Sequence, residues 1–345
     1  MEAKETKKFL AYKRLSTFIA ILFFLGVMMH CTPTQTGAEK KSSEMDDSVT
    51  RKKIADLFDR SDQWMAPDTT QLSANATGRQ ILYGRDLIAN TALYLGPNGF
   101  VSHSSNGMNC QNCHLDAGTR LYANSFSAVA STYPKLRPRS GALESVEKRV
   151  NDCMERSMNG KKLDSLSKEM RAMVAYIKWV GKDVKKDIIP RGSSVVDLPF
   201  LDRAADSATG RIAYMKNCIT CHGTDGQGKL NVDEKTYQYP PLWGSHSYNV
   251  SAGLFRLSRL AGYIKSNMPY LTSSHDKPIL TNEEAWDIAA FVNSKPRPAK
   301  KFKEDYPDIS KKPFDHPYGP YSDNYSETQH KYGPFAAMPS AKKKK

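Results

Sequence analysis

Along several stretches of the chain apolar side chains recur every three or four positions, the spacing that gathers them on one face of a helix. In "RKKIADLFDRSDQW" they are Ile54, Leu57 and Phe58. In "TGRQILYGRDLIANTALYLG" they are Ile81, Leu82, Leu87 and Ile88, and Gly96-Pro97 supplies a helix stop. "GALESVEKRVNDCMERSM" follows, then "LDSLSKEMRAMVAYIKWVGKDV", in which Met170, Met173, Val174, Ile177 and Val180 form one apolar stripe. The period is lost in "DVKKDIIPRGSSVVDLPFLDR", where Pro and Gly mark a linker. It resumes in "SATGRIAYMKNCITCH" and in "TNEEAWDIAAFVNSKPRP", a helix capped by Thr281 or Asn282 and stopped before Pro296. Strand-like alternation is scarce.

The order of these segments repeats. "SATGRIAYMKNCITCH" echoes "NATGRQILYGRDLI" through its Thr-Gly-Arg opening, and each half ends in an amphipathic helix. The pattern predicts an all-α protein with two domains in tandem, at 51–183 and 204–297, joined by an irregular linker over 184–203. Residues 298–345, rich in Pro, Tyr and Lys, read as an irregular basic tail.

The first 31 residues have another character. A basic start (Lys4, Lys7, Lys8, Lys13, Arg14) precedes an apolar run from Phe18 to Met29 and then Cys31. The run is shorter than the ~20 residues that cross a bilayer, so it reads as a secretory signal. The polar segment after Cys31, 32–50, reads as the tether of a lipoprotein lipidated at Cys31, although His30 and Met28 depart from the usual recognition pattern. A periplasmic location follows as an expectation. The net charge of +14 is concentrated in this signal, in "KPRPAKKFK" and in Lys342 to Lys345. No nucleic-acid fold signature accompanies it, so a solvated tail is the expectation rather than a nucleic-acid partner.

Of the six cysteines, four form two pairs, Cys110 with Cys113 and Cys218 with Cys221. Each pair is followed at once by a histidine, His114 and His222. Zinc would require four converging ligands, and a thioredoxin-type pair a βαβ pattern. Cys-x-x-Cys-His instead is the haem c attachment pattern, with both thiols bonded to the haem and the imidazole on iron. Two such motifs predict two covalently attached haem c groups, and so two class I-like cytochrome c domains.

The second axial position of each iron then decides the chemistry. In the second half the candidates are Met268 and Lys265 of "AGYIKSNMPY", with His246 and His275 behind them. Asn-Met-Pro resembles the methionine loop of class I cytochromes c. In the first half the available groups are Cys153, Met154, Met158 and His103. Cys153 is the cysteine left over from the pairs; a thiolate there favours ferric iron, lowers the potential and brings a nucleophile to the centre.

Together these residues resemble the dihaem thiosulfate dehydrogenases, which interconvert two thiosulfates and tetrathionate. The similarity runs from Thr77 to Phe335 through "LIANTALYLGP", "CQNCHLDAGT", "VNDCMERSMNG", "YIKSNMP" and "QHKYGPF". It implies His114 and Cys153 as axial ligands of the first haem, and His222 opposite Met268 or Lys265 at the second. It also implies an anion-binding set of Arg139, Arg149, Ser157 and Lys161, with Arg156 and Lys148 outside it on the solvated surface. Pairing two dianions requires such cations, and Arg suits bidentate oxyanion binding. The implied electron partner is a small soluble or membrane-linked carrier such as a c-type cytochrome. Three other readings share the haem motifs: a substrate-free electron shuttle, a dihaem peroxidase, for which only Glu155 offers a distal acid, and a sulfur-carrier cytochrome that needs a partner protein.

Overall fold

The computed structural model describes residues 63–233 and 235–338. The segment with Ile54, Leu57 and Phe58, the signal, Cys31, the tether and Lys342 to Lys345 all lie outside the described residues. Among the described residues no helix is long and apolar enough to cross a membrane.

The first half is built on α1 (Ala76–Ala89), α2 (Val146–Arg156) and α3 (Lys168–Val180). Each begins where the sequence offers a cap. Asn75 accepts from the Gly78 amide, Ser145 from Lys148 and Ser167 from Met170, satisfying amides that have no partner within the helix. The stripe expected on α3 is buried throughout, as are Ile81, Leu87 and Ile88 of α1. Leu82 departs from the expectation: it is 43% exposed on the outer side of α1.

The second half uses α4 (Ser207–Asn217), α5 (Leu257–Asn267) and α6 (Asn282–Ser294). Thr281 is the cap of α6 and forms a capping box with Glu284, and the helix ends one residue before Lys295 and Pro296. Tyr214, Leu257, Leu260, Ile264, Trp286, Ile288 and Phe291 fill its core.

In both halves the first and last helices cross through a glycine. A Cβ on Gly84 of α1 would fall 1.9 Å from the Ala172 carbonyl of α3, and one on Gly210 of α4 would fall 1.8 Å from the Asp287 carbonyl of α6. Only glycine lets the two backbones approach this closely. The equivalent of Gly210 is therefore Gly84, not Gly78 of the Thr-Gly-Arg echo, which packs against Ser73 at the start of α1.

The molecule is mainly helical, with two small antiparallel ribbons that the all-α expectation did not include. β1 (Lys135–Arg137) pairs with β2 (Ala142–Glu144), and β3 (Lys229–Leu230) with β4 (Tyr237–Tyr239). Residues 184–203 carry no helix or strand. They lie against both halves: the Gly192 carbonyl accepts from the Tyr122 amide, and the Pro199 carbonyl from the Trp286 indole.

The tail is more ordered than its composition suggested. It adds α7 (Glu327–Tyr332) and buries Tyr306, Asp315, His316, Tyr318, His330, Phe335 and Met338. Asp305 binds Arg139 and Arg156 of the first half, while Asp315 binds Arg256 and Ser258 of the second. The tail therefore fastens both halves.

Candidate functional site

Two cavities are walled by the Cys-x-x-Cys-His segments, the first within the first half and the second between the second half and the first attachment segment. The first, of about 390 Å³, has Cys110, Cys113 and His114 on one side and Arg149, Cys153 and Ser157 on the other. Cys110 opens a single 3-10 turn, and its amide donates to the buried Thr91 hydroxyl at 3.0 Å. His114 Nδ1 lies 2.6 Å from the Asn124 carbonyl. A carbonyl only accepts, so Nδ1 carries the proton and Nε2 keeps its lone pair for a metal.

Opposite stands α2. Arg149 and Cys153 are four residues apart and thus on one face of the helix. Arg149 Nη1 donates to Cys153 Sγ at 3.2 Å. Burial works to raise the Cys153 pKa, but the Arg149 charge, followed by the neighbouring His114 ring, overcomes it and brings the thiol down to about 6. Cys110, Cys113 and Cys218 differ: burial pushes each up to about 12. The fold thus favours a thiolate at Cys153 and neutral sulfur at those three attachment positions. Met154 and Met158 also line this cavity, whereas His103 is exposed and does not.

The anion-binding set implied by the sequence is brought together only in part. Arg149 and Ser157 line the cavity. Arg139 is drawn away to the Ser251 carbonyl and to Asp305, each at 3.0 Å. Lys161 is exposed and absent from the lining. Arg156, expected to be solvated, is instead 5% exposed, bound to Asp152 at 2.7 Å and Asp305 at 2.6 Å. Its i, i+4 spacing to Asp152 was the available signal; Asp305 lies too far along the chain to be read that way. Lys148 is exposed as expected, but it too pairs with Asp152. The structure adds Lys135 and Arg137 of β1 to the cavity wall. No periodic signal marked that short strand.

The second cavity, of about 220 Å³, is lined by Cys218, Cys221, His222 and Met268 among apolar residues that include Leu260, Ile264 and Val292. His222 Nδ1 donates to the Pro240 carbonyl at 3.0 Å, again freeing Nε2, and burial lowers its pKa, favouring the neutral ring. Lys265 turns elsewhere: its ammonium donates to the Leu280 carbonyl at 2.6 Å. His246 is exposed and His275 stacks on Tyr122, and neither lines the cavity. Met108 and Cys113 line both cavities, so the two sites share a wall. Tyr263 reinforces it by donating to the Asn112 carbonyl at 2.6 Å.

Comparison with known proteins agrees with this arrangement. Over 236 residues the chain is 36% identical to the thiosulfate dehydrogenase of Allochromatium vinosum, covering 67% of this chain and 83% of that protein. The chain belongs to the thiosulfate dehydrogenase family. The member from Psychrobacter arcticus is 30% identical over 87% of this chain and 97% of its own length. Residues 100–185 match the SoxA/TsdA cytochrome c domain and residues 207–296 match cytochrome c. Among solved structures, thiosulfate dehydrogenase (TsdBA) from Marichromatium purpuratum in its as-isolated form superposes with a TM-score of 0.64 at 29% identity. That match covers 74% of this chain and 53% of the other, so this chain spans about half of that larger protein.

Membership fixes two cytochrome c domains and two covalently attached haem c groups. The residues present fit that cofactor: each cavity offers two cysteine sulfurs and a histidine whose Nδ1 is occupied by a carbonyl, which leaves the Nε2 lone pair as the one available to a metal.

Proposed function

We propose that the chain interconverts two thiosulfates and tetrathionate at the first cavity and passes electrons through the second. The reading is carried by the juxtaposition of Arg149 and Cys153, which places a stabilised thiolate opposite the attachment histidine. In the first cavity His114 and Cys153 would hold the haem iron between them. In the second His222 and Met268 would hold it, because Met268 lines the cavity whereas the Lys265 ammonium donates to the Leu280 carbonyl. The haems supply two one-electron acceptors or donors.

The residues divide the remaining work. Arg149 offsets the charge of an approaching thiosulfate, and Ser157, one turn beyond Cys153, offers a hydroxyl to its oxygens. The Cys153 sulfur bonds to the sulfane sulfur of one thiosulfate with release of two electrons, giving a Cys153–S–SO3 conjugate. A second thiosulfate attacks the sulfane sulfur of this conjugate, tetrathionate leaves, and the Cys153 thiolate is restored. Run backwards, the same steps split tetrathionate. The apolar lining around Met268 suits a site that exchanges electrons without binding an anion, and the shared wall at Met108 and Cys113 keeps the path between the two cavities short. The external carrier is a small c-type cytochrome or similar protein, and the chain works in the periplasm, tethered through a lipidated Cys31.

The test is product stoichiometry. The purified holoprotein, given thiosulfate and ferricyanide, is expected to form one tetrathionate for every two ferricyanides reduced. Haem reduction without tetrathionate would instead make the chain a shuttle or a carrier that needs a partner.

A further inference from the structure

We propose that the β1–β2 hairpin holds the second of the two anions that meet at Cys153, through Lys135 and Arg137. This rests on the thiosulfate reading and assigns the second substrate molecule its own subsite.

The strand period places Lys135 and Arg137 on one face and Leu136 on the other. Leu136 is 66% exposed, whereas both cations line the cavity that contains Cys153. Charge accounting separates them from the remaining basic residues nearby. Arg149 is engaged with the Cys153 sulfur at 3.2 Å. Arg139 and Arg156 are held by Asp305, and Arg156 also by Asp152. Lys135 forms no ion pair among the described residues. The carboxylate nearest Arg137 is Glu144, whose oxygen stands 3.8 Å from Nε, beyond hydrogen-bonding distance.

Glu144 lies opposite Lys135 in the ribbon and is only 2% exposed. Neither of its side-chain oxygens has a hydrogen-bond partner. A buried carboxylate in that state is held by the cations around it, and in return it steadies the hairpin. Among the described residues the Arg137 guanidinium donates no hydrogen bond, and its one ion pair is the 3.8 Å contact with Glu144. The wall therefore presents two cations against a single buried carboxylate, a net positive charge beside a thiolate already balanced by Arg149. That is the requirement once the first thiosulfate occupies Cys153 and a second dianion must approach it.

The test uses two holoprotein variants, each checked for two bound haems by intact mass and absorption spectrum. Lys135→Gln removes one cation and leaves Glu144 its ion pair with Arg137. Arg137→Gln/Glu144→Gln removes the other together with its carboxylate, so that no buried charge is left alone. In thiosulfate-dependent ferricyanide reduction each is expected to raise KM about tenfold, the worth of one charge-assisted contact, with kcat largely kept. On a Cys153→Ala background, which cannot turn over, thiosulfate binding measured by calorimetry should weaken by the same factor. Wild-type KM in both variants would overturn the hairpin subsite while leaving the functional reading intact. A wild-type protein that does not oxidise thiosulfate would overturn both. If either variant loses a haem, the other carries the test alone.

Discussion

The two haem cavities are built on the same frame and lined with opposite chemistry. Both have two cysteines, a histidine pinned at Nδ1 by a carbonyl, and a pair of helices crossing at a glycine. The first is lined by Lys135, Arg137 and Arg149 and places Cys153 across from His114. The second has no lysine or arginine in its lining and places Met268 there. The attachment motif, alike in both, identifies the cofactor and nothing more. In the proposed function the opposite wall separates the sulfur-bond-forming site from the electron relay: a thiolate with a cation beside it in one, a neutral thioether in an apolar setting in the other.

This contrast can be broken from either side. The largest effect is expected at Arg149. Arg149→Gln removes the cation at 3.2 Å from Cys153 and should lower the thiosulfate-dependent rate about a hundredfold, the usual cost of losing a charge-stabilising donor. Its pH profile should move as well. The Arg149 charge is the main influence that holds the Cys153 thiol below the ordinary cysteine value. Turnover should therefore begin to fall at a higher pH on the acid side in Arg149→Gln than in the wild type. Steady-state rates across a pH series check both.

The shared frame should respond equally in the two halves. Gly84→Ala and Gly210→Ala each force a methyl onto a carbonyl less than 2 Å away and are expected to destabilise their own half by about 3 kcal/mol. Thermal unfolding followed at the haem bands measures the loss. An effect in one half only would show that the two crossings are not equivalent.

The smallest effects concern the second iron. Met268→Leu should lower the potential of the second haem, since a thioether favours ferrous iron, whereas Lys265→Ala should leave it unchanged. Spectroelectrochemical titration of each variant distinguishes these outcomes. A shift in Lys265→Ala alone would reverse the assignment.

Much of the frame was legible in the sequence because it rests on local rules. The α3 stripe, the capping of α6 by Thr281 and the two attachment motifs are decided by neighbours within about a turn of helix. Cys153 stood out by elimination, once Cys31 was read as a lipidation site and four cysteines as two pairs, and the structure sets it beside Arg149. The errors lay where distant segments meet. Arg139 was expected at the anion and Arg156 in solvent, yet Asp305, contributed by a tail that looked irregular, captures both. The ribbon that brings Lys135 and Arg137 to the cavity consists of two three-residue strands, too short for an alternating pattern to show. The Thr-Gly-Arg echo was a true similarity in the wrong register, because the position that must be glycine is set by a helix crossing rather than by its neighbours in sequence.

We propose that Cys153 turns one of two like haem sites into a sulfur-bond-forming centre. This is tested most directly by thiosulfate-dependent ferricyanide reduction in Cys153→Ala holoprotein. Two covalently bound haems, an intact second site and no turnover are expected. Normal thiosulfate-dependent reduction in that variant would contradict it.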